Sequence, residues 1–512
     1  MKELESKKPT IEEFTVFCKK KGFVFQAAQI YGGLAGFFDF GPLGVEIKNN
    51  LKAEFWKKFV LKREDIFGQD GSIITNQSVW KASGHVDTFA DLVLTTKETK
   101  TKLRADHFIE DTLNIPVDGM NAEEINSLIK KHNLKWKGEE FEEVKNFNLM
   151  FVTQVGADAN KNSIAYLRPE TAQSIFPNFK QIAEVSRAKL PFGIVQIGKA
   201  FRNEISPRDF VFRSREFEQM EMEYFFNPNS KCELLTEKQK KTKIMFLSAE
   251  NQDKDSSEMI ETTIEKLLKD KKLNEYHAFW LAEFFNWFTE DIGFKYENLR
   301  IREHIKTELS HYSKGTFDID YKYPFGYKEM LGMANRGNYD LNQHQEHSKQ
   351  KLEFFDEANK EKLLPHVIEP SLGVERFFMA ILNETYINDE KRGNIVLNLP
   401  PKIAPYKVGV FPLVNKEELT KVAREIYEDL IEEDISAFYD RSGSVGRRYA
   451  RADEIGTPYC ITVDFECIEE GKDNGTVTIR DRNTTEQKRL KVESLSGVII
   501  SLIKGNLKFE DL

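Results

Sequence analysis

Two stretches of the chain combine residue types and spacing suited to chemistry on a phosphorylated, charged substrate. The first is EFEQMEMEYFF, residues 216–226. In a strand alternate side chains share a face. Phe217, Gln219, Glu221, Glu223 and Phe225 therefore point one way, and Met220, Met222 and Tyr224 the other. Upstream, FGIVQIGKAFRNE (192–204) puts Arg202 and Glu204 on one face of a second strand, joined to the first through a turn at Ser206 and Pro207. Such a hairpin presents Arg202, Glu204, Phe217 and Glu221 on one surface. At ~3.3 Å per residue, Phe217 and Glu221 stand ~13 Å apart. That is about the span of a nucleotide base joined through ribose and phosphate to a small acyl group. An exposed antiparallel sheet with alternating charge accounts for the same pattern.

The second stretch is EPSLGVERFFMAIL, residues 369–382. Val374, Phe377, Phe378, Ile381 and Leu382 recur at the spacing of a buried helical stripe. Gly373 permits a tight strand-to-helix turn. Arg376 then falls in the first helical turn, where the helix dipole and the guanidinium both favour a phosphate. A structural salt bridge explains a lone arginine equally well.

The elements that must position these residues are readable around them. Thr10 caps a short helix followed by Gly22, and Pro42 opens a longer one whose Ile47, Leu51, Phe55 and Phe59 form one stripe. FNLMFVTQV, AYLRPE, FDIDYKYPF and MLGMANRG read as strands or strand ends. Residues 105–150 and 228–291 are charged, loop-rich and helical, and are expected to be insertions on the surface. LPPKIAP (399–405) marks a boundary, after which strand, helix and strand alternate as in a compact α/β domain.

The 512 residues exceed one ordinary core, and two to four domains are expected. A hydrophobic content of 40% with 31% charged residues excludes a disordered chain. The net charge of −9 argues against a general polyanion binder, while a local basic groove stays compatible with it. Cys18, Cys232, Cys460 and Cys467 form no CxxC pair. They suggest a reducing compartment and no zinc knuckle. The start lacks the apolar core of a signal peptide and no apolar run reaches membrane-spanning length. A cytoplasmic protein with no membrane partner is the expectation.

Taken together, these segments resemble class II aminoacyl-tRNA synthetases. GPLGVEIKNNL is similar to their dimer-interface motif, FRNE (201–204) with RSREF (213–217) to the second motif, and GVER (373–376) to the third. ASGH, RPETAQ, GKAFRNEISPR, REFEQMEMEYF, EPSLGVER and YARADEIGTPYC resemble, more narrowly, the glycyl-tRNA synthetase family of α2 homodimer type. The resemblance covers essentially the whole chain outside the two insertions. It implies an α+β fold, an antiparallel sheet flanked by helices, with helical insertions and a C-terminal α/β anticodon-binding domain. The implied boundaries are 1–104, 151–227 and 292–400 for the catalytic domain, 105–150 and 228–291 for the insertions, and 404–512 for the anticodon domain.

The implied activity joins glycine to tRNA(Gly) through glycyl-adenylate, in a homodimer. Arg202 and Arg376 are the implied catalytic pair. The implied ATP set is Arg202, Asn203, Glu204, Phe212, Arg213, Phe217, Glu329, Met330, Gly373 and Arg376, with Glu329 holding Mg²⁺. The implied glycine set is Arg104, Glu170, Phe217, Glu221, Glu369 and Ser371. Glycine offers no side chain to grip, so recognition falls on its ammonium, which suits carboxylates, while a small pocket excludes larger amino acids. Carboxylates crowded into one pocket repel unless a cation is present, which favours ligand binding over a structural role.

Relatives that carry a cysteine pair before FNLMF bind zinc there; KGEEFEEVKNFNLMF has none, and no zinc is expected. The insertions would contact the tRNA acceptor stem. Arg480 and Arg482 either clamp the anticodon or form a cross-strand salt bridge. His85, His311 and His344 read as hydrogen-bonded core or cleft residues. The alternative functions are a non-catalytic accessory subunit of a DNA polymerase, which the intact Arg202, Glu204, Arg213, Phe217 and Arg376 disfavour, and a synthetase for threonine, proline or histidine.

Overall fold

The computed structural model describes residues 8–512 apart from 114, 116, 118, 119, 158–162, 255, 311 and 312. Helix α1 (Ile11–Lys21) begins as its sequence demands. Thr10 accepts from the Glu13 N–H while the Glu13 carboxylate accepts from the Thr10 N–H, and Gly22 ends the helix at φ 77°. In α2 (Pro42–Trp56) the stripe of Ile47, Leu51 and Phe55 is fully buried. A π-turn carries the stripe on to Phe59. Gly41 and Gly44 are required by close approach: a Cβ there would fall 2.3 Å from the Gly22 carbonyl oxygen and 1.9 Å from that of Phe23.

The body of the chain before residue 400 is built on a nine-stranded sheet. Its strands are β1 (Ile66–Gln69), β2 (Phe192–Phe201), β3 (Glu216–Phe226), β4 (Lys243–Leu247), β5 (Ile260–Thr263), β6 (Leu299–Glu303), β7 (Thr316–Tyr323), β8 (Gly326–Gly337) and β9 (His366–Gly373). They run in the order β5-β4-β6-β7-β8-β9-β3-β2-β1. All neighbours are antiparallel except β1 with β2 and β4 with β6. The hairpin of β2 and β3 pairs Gln196 with Glu221 and Ala200 with Phe217.

The apolar face of β3, with Met220, Met222 and Tyr224 fully buried, packs in one core with α2. The same core holds a helix at Glu275–Asn286 (α3) and another at Val374–Thr385 (α5). Five large apolar side chains of α5, each burying ~1.5–3 kcal/mol of transfer free energy, fix that helix against the sheet. Between α3 and α5 lies α4 (Tyr339–Ser348).

Residues 228–291 are more than a helical surface insertion. Strands β4 and β5 extend the nine-stranded sheet, and α3 is buried nearly all round, with Phe284 stacked on Phe59 at 4.3 Å. The charges that mark the segment are genuine surface, such as the exposed Lys243–Glu261 pair at 2.9 Å across β4 and β5. The intervening Ile244 and Phe246 turn inward. Residues 105–150 belong to a small unit that already starts at Ala90. Strand Ala90–Thr95 pairs with Lys102–Arg104 and with Lys145–Asn148, and two helices close a separate core around Phe108, Ile109, Ile125 and Phe141.

The C-terminal domain is a five-stranded sheet in the order β11-β10-β12-β13-β14. Its strands are β10 (Val408–Pro412), β11 (Ala437–Tyr439), β12 (Tyr459–Val463), β13 (Thr476–Asp481) and β14 (Gln487–Lys491), with α6 (Glu417–Glu432) and α7 (Val445–Glu454) beside them. Arg480 and Arg482 take the structural role. Arg480 makes a bidentate pair with Asp453 at 2.8 and 2.9 Å, and Arg482 donates to the carbonyls of Gly456 and Leu399. Both are buried; Arg482 through Leu399, and Arg392 through Asp453 at 3.2 Å, join this domain to the one before it. No described helix is long and apolar enough to cross a membrane.

Candidate active site

One cleft on the polar face of the sheet collects most of the residues singled out by sequence. Glu170, Arg202, Glu204, Phe212, Arg213, Phe217, Glu221, Glu329, Glu369, Ser371, Gly373 and Arg376 all line it. The hairpin delivers Arg202, Phe217 and Glu221; β9 delivers Glu369 and Ser371 and runs directly into α5, which places Arg376. Register completes the assembly: Ser371 faces Glu221 on one side and Gly332 on the other, and Glu369 faces Ala334.

At one end the cations and carboxylates pair with each other. Arg376 binds Glu329 Oε2 at 2.9 Å and lies 4.4 Å over the Phe212 ring. Arg213 binds Glu204 at 2.8 Å. Arg202 lies 5.3 Å over the Phe217 ring and donates through Nε to the Pro169 carbonyl at 3.1 Å. Burial disfavours the Glu329 charge, but the Arg376 guanidinium outweighs it and holds the carboxyl below the usual range. The position of α5 depends on a buried lysine of α2. Lys48 binds Glu375 and Glu218, both at 2.6 Å, and Glu375 also accepts from the Glu218 N–H at 2.8 Å.

At the other end carboxyls gather around Arg336 of β8. Arg336 makes a bidentate pair with Asp340 at 2.7 and 2.8 Å, bonds Glu369 closely and lies 3.9 Å from Glu170. His85 stands 3.3 Å from Glu170 and exchanges a hydrogen bond with Ser83 at 2.8 Å. Glu221 accepts from the Thr171 N–H at 2.9 Å and from its hydroxyl. Burial works against the Glu170 charge, yet His85, Arg336 and Arg202 hold its carboxyl well below the ordinary range. Burial and the Glu170 charge push Glu221 the other way, and burial raises Glu369 further.

Some expected residues sit elsewhere. Arg104 lies on the small sheet paired with Asp91 at 2.9 Å and with Asp106, and does not line the cleft. Asn203 bonds the Leu149 carbonyl through its N–H, and the Met330 side chain is in the core, leaving only its backbone near the site. Gly373 has φ −73°, and a Cβ there would meet Arg376 at an ordinary 3.5 Å, so its turn does not need glycine's conformational freedom. His344 is buried, bonded to Gln173 at 2.8 Å, and depressed to about 4 by burial; His311 lies outside the described residues. Sequence reasoning missed Arg336, and also the half-buried His304 and the buried Asp318, paired at 2.7 Å on the cleft wall. Strand alternation from Gly332 through Ala334 to Arg336 was the available signal.

A sheet of this order, carrying an arginine at the end of the hairpin's first strand and another at the start of the following helix, defines a class II synthetase core. Two family models agree: tRNA synthetase class II core domain (G, H, P, S and T) over residues 151–385, and anticodon binding domain over 407–502. The chain is 43% identical over 507 residues to the glycine–tRNA ligase of Caldanaerobacter subterraneus subsp. tengcongensis, covering 97% of this chain and 99% of that one. It is 42% identical to the enzyme of the same name from Borreliella afzelii, covering 96% of each chain. The Ureaplasma urealyticum glycine–tRNA ligase is 43% identical over 503 residues. The chain thus belongs to the glycine–tRNA ligase family of class II aminoacyl-tRNA synthetases.

Proposed function

We propose that this cleft activates glycine with ATP at its carboxylate-lined end and transfers the glycyl group to the 3′-terminal ribose of tRNA(Gly). The observation that carries this reading is the division of one cleft into two chemistries. Arg202, Glu204, Arg213, Phe217, Glu329 and Arg376 stand at one end, and Glu170, Glu221, Glu369 and Ser371 at the other. The reaction class is that of the family, an ATP-dependent ligation releasing AMP and pyrophosphate.

Phe217 stacks on adenine, with Arg376 on the opposite face, and Glu204 accepts from the adenine amino group. Arg202 holds the α-phosphate and the attacking glycine carboxylate, stabilising charge as it develops in the transition state. Arg213 and Arg376 bind the leaving phosphates, exchanging their present carboxylate partners for phosphate oxygens. Glycine's ammonium is received by Glu170, Glu221 and Glu369, with Ser371 beside them. Gly332 and Ala334 lie beside Ser371 and Glu369 in the sheet. No side chain has to act as nucleophile.

Glu329 fits a magnesium ion that takes one or two carboxylates and completes its shell with phosphate oxygens. Its Oε1 overhangs Gly332, 3.4 Å from where a Cβ would stand, so this glycine leaves the carboxylate room. Bound there with ATP, the ion supplies neutralisation of phosphate charge.

The homodimer is supported by the resemblance of α2 to the dimer motif and by the exposed Ile30, Tyr31 and Leu34 just before it. The four buried free thiols suit a reducing compartment, the cytoplasm. Charging of a tRNA(Gly) transcript with labelled glycine tests the reading. Label on the 3′ end that requires ATP supports it; glycine activation without transfer contradicts it.

A further inference from the structure

Behind the carboxylate-lined end of the cleft lies an acid that no role above uses. Glu223 is two residues beyond Glu221 on β3, is fully buried, and has no hydrogen-bond partner for either oxygen. Its carboxyl is aimed at the pocket, since one oxygen each of Glu221, Glu223 and Glu369 lie within 4.8 Å of one another. The surrounding groups cannot neutralise it. Arg336 from β8 is engaged by Asp340 and Glu369, and His85 faces Glu170. Arg168 and Arg202 donate to backbone carbonyls instead. With Glu170, Glu221, Glu223, Glu369 and Asp340 all ionised, five carboxylates would share the single guanidinium of Arg336. A buried acid without donors or counter-charge keeps its proton.

Resting on the ammonium-pocket reading above, we propose that Glu223 is a neutral carboxylic acid whose O–H is donated to Glu369, positioning that carboxylate for the glycine ammonium. Glu369 is the partner because Glu221 already has two donors from Thr171 on one oxygen and a further side-chain bond from Ser371, whereas Glu369 is bonded by Arg336 on one oxygen. Burial and the neighbouring Glu369 push the Glu223 carboxyl well above the ordinary range. Glu369 is raised too, but Arg336 in contact with it favours its charged form, so the proton resides on Glu223. Glu223 therefore acts through Glu369 as a positioning residue and adds no charge of its own to the pocket.

The test compares Glu223→Gln, which keeps a neutral donor, with Glu223→Leu, which keeps neutrality and loses the donor, in glycine-dependent ATP–pyrophosphate exchange by the full chain. Glu223→Gln should leave the glycine KM within about threefold of the parent. Glu223→Leu should raise it at least tenfold with the ATP KM unchanged. Infrared difference spectra should show a buried protonated carboxyl in the parent that disappears in Glu223→Gln. A tenfold glycine defect in Glu223→Gln would overturn the proposal by making Glu223 a charged ligand. Parent-like kinetics in both variants, or no protonated-carboxyl band, would also overturn it. If the leucine variant does not fold, the glutamine variant and the infrared band still decide. A Glu221→Gln variant with an unchanged glycine KM would instead reject the ammonium pocket, and the infrared band would still report separately on the Glu223 proton.

Discussion

Arg376 at the start of α5 and Glu329 on β8 face each other at 2.9 Å across the cleft, with the Arg376 guanidinium also reaching the Glu329 carbonyl at 3.2 Å. The pair keeps two groups of the proposed ATP site in place before the nucleotide arrives. Each must be released to its own part of the substrate, the guanidinium to phosphate and base, the carboxylate to the metal. Arg213 and Glu204 are held by the same device at 2.8 Å.

Arg376→Ala is expected to lower kcat/KM for glycine-dependent exchange by ~100-fold or more, the scale of losing one pre-organised charge contact in a transition state. Steady-state exchange kinetics check this, and a loss under threefold would remove Arg376 from the reaction.

Glu221→Gln should raise the glycine KM tenfold or more while moving the ATP KM little, because the role proposed for this group is towards the ammonium and not the nucleotide. Equal loss for both substrates would show that the change disturbs the whole cleft, and the ammonium role would fall.

The acids of the pocket have opposite effects on stability. Glu170 is depressed, so its contribution is present above its unfolded value of 4.5 and is lost as the pH falls through its folded value. Glu223 is raised, so the folded state holds a proton the unfolded chain releases, and stability is lost as the pH rises above 4.5. Glu223→Gln removes that loss. Thermal unfolding should show the variant gaining on the parent as the pH rises from 5 to 8. A constant difference across that range contradicts the assignment.

Asp453→Ala should destabilise the junction between the domains by roughly 3–5 kcal/mol, because Arg480 is left buried without its bidentate partner and Arg392 loses its anchor. Differential scanning calorimetry should show the earliest transition moving to lower temperature.

Local pattern made much of this legible. The alternation in residues 216–226 correctly divided Met220, Met222 and Tyr224 of the core from Phe217, Gln219 and Glu221 of the cleft. The apolar stripes of α2 and α5 were equally plain, since helical period reports the buried face directly. Long-range pairing was not legible. Glu369 and Glu221 meet only because β9 lies between β8 and β3, and although alternation through Gly332 and Ala334 puts Arg336 on their face, nothing in MANRG tells which carboxylates it will meet. Residues 228–291 misled for a related reason: a buried aromatic helix flanked by charged edge strands has the composition of a surface insertion. Glu223 shares the polar periodicity of its strand, but only the tertiary fold reveals that it has no partner.

The most direct measurement is ATP–pyrophosphate exchange by the full chain with Mg²⁺, without tRNA, comparing glycine, alanine, serine, threonine and proline. The carboxylate-lined end of the cleft, read as the ammonium pocket for glycine, predicts exchange with glycine alone. Exchange supported by a larger amino acid at comparable kcat/KM would contradict the pocket assignment, and no exchange with any of them would contradict the cleft as an adenylation site.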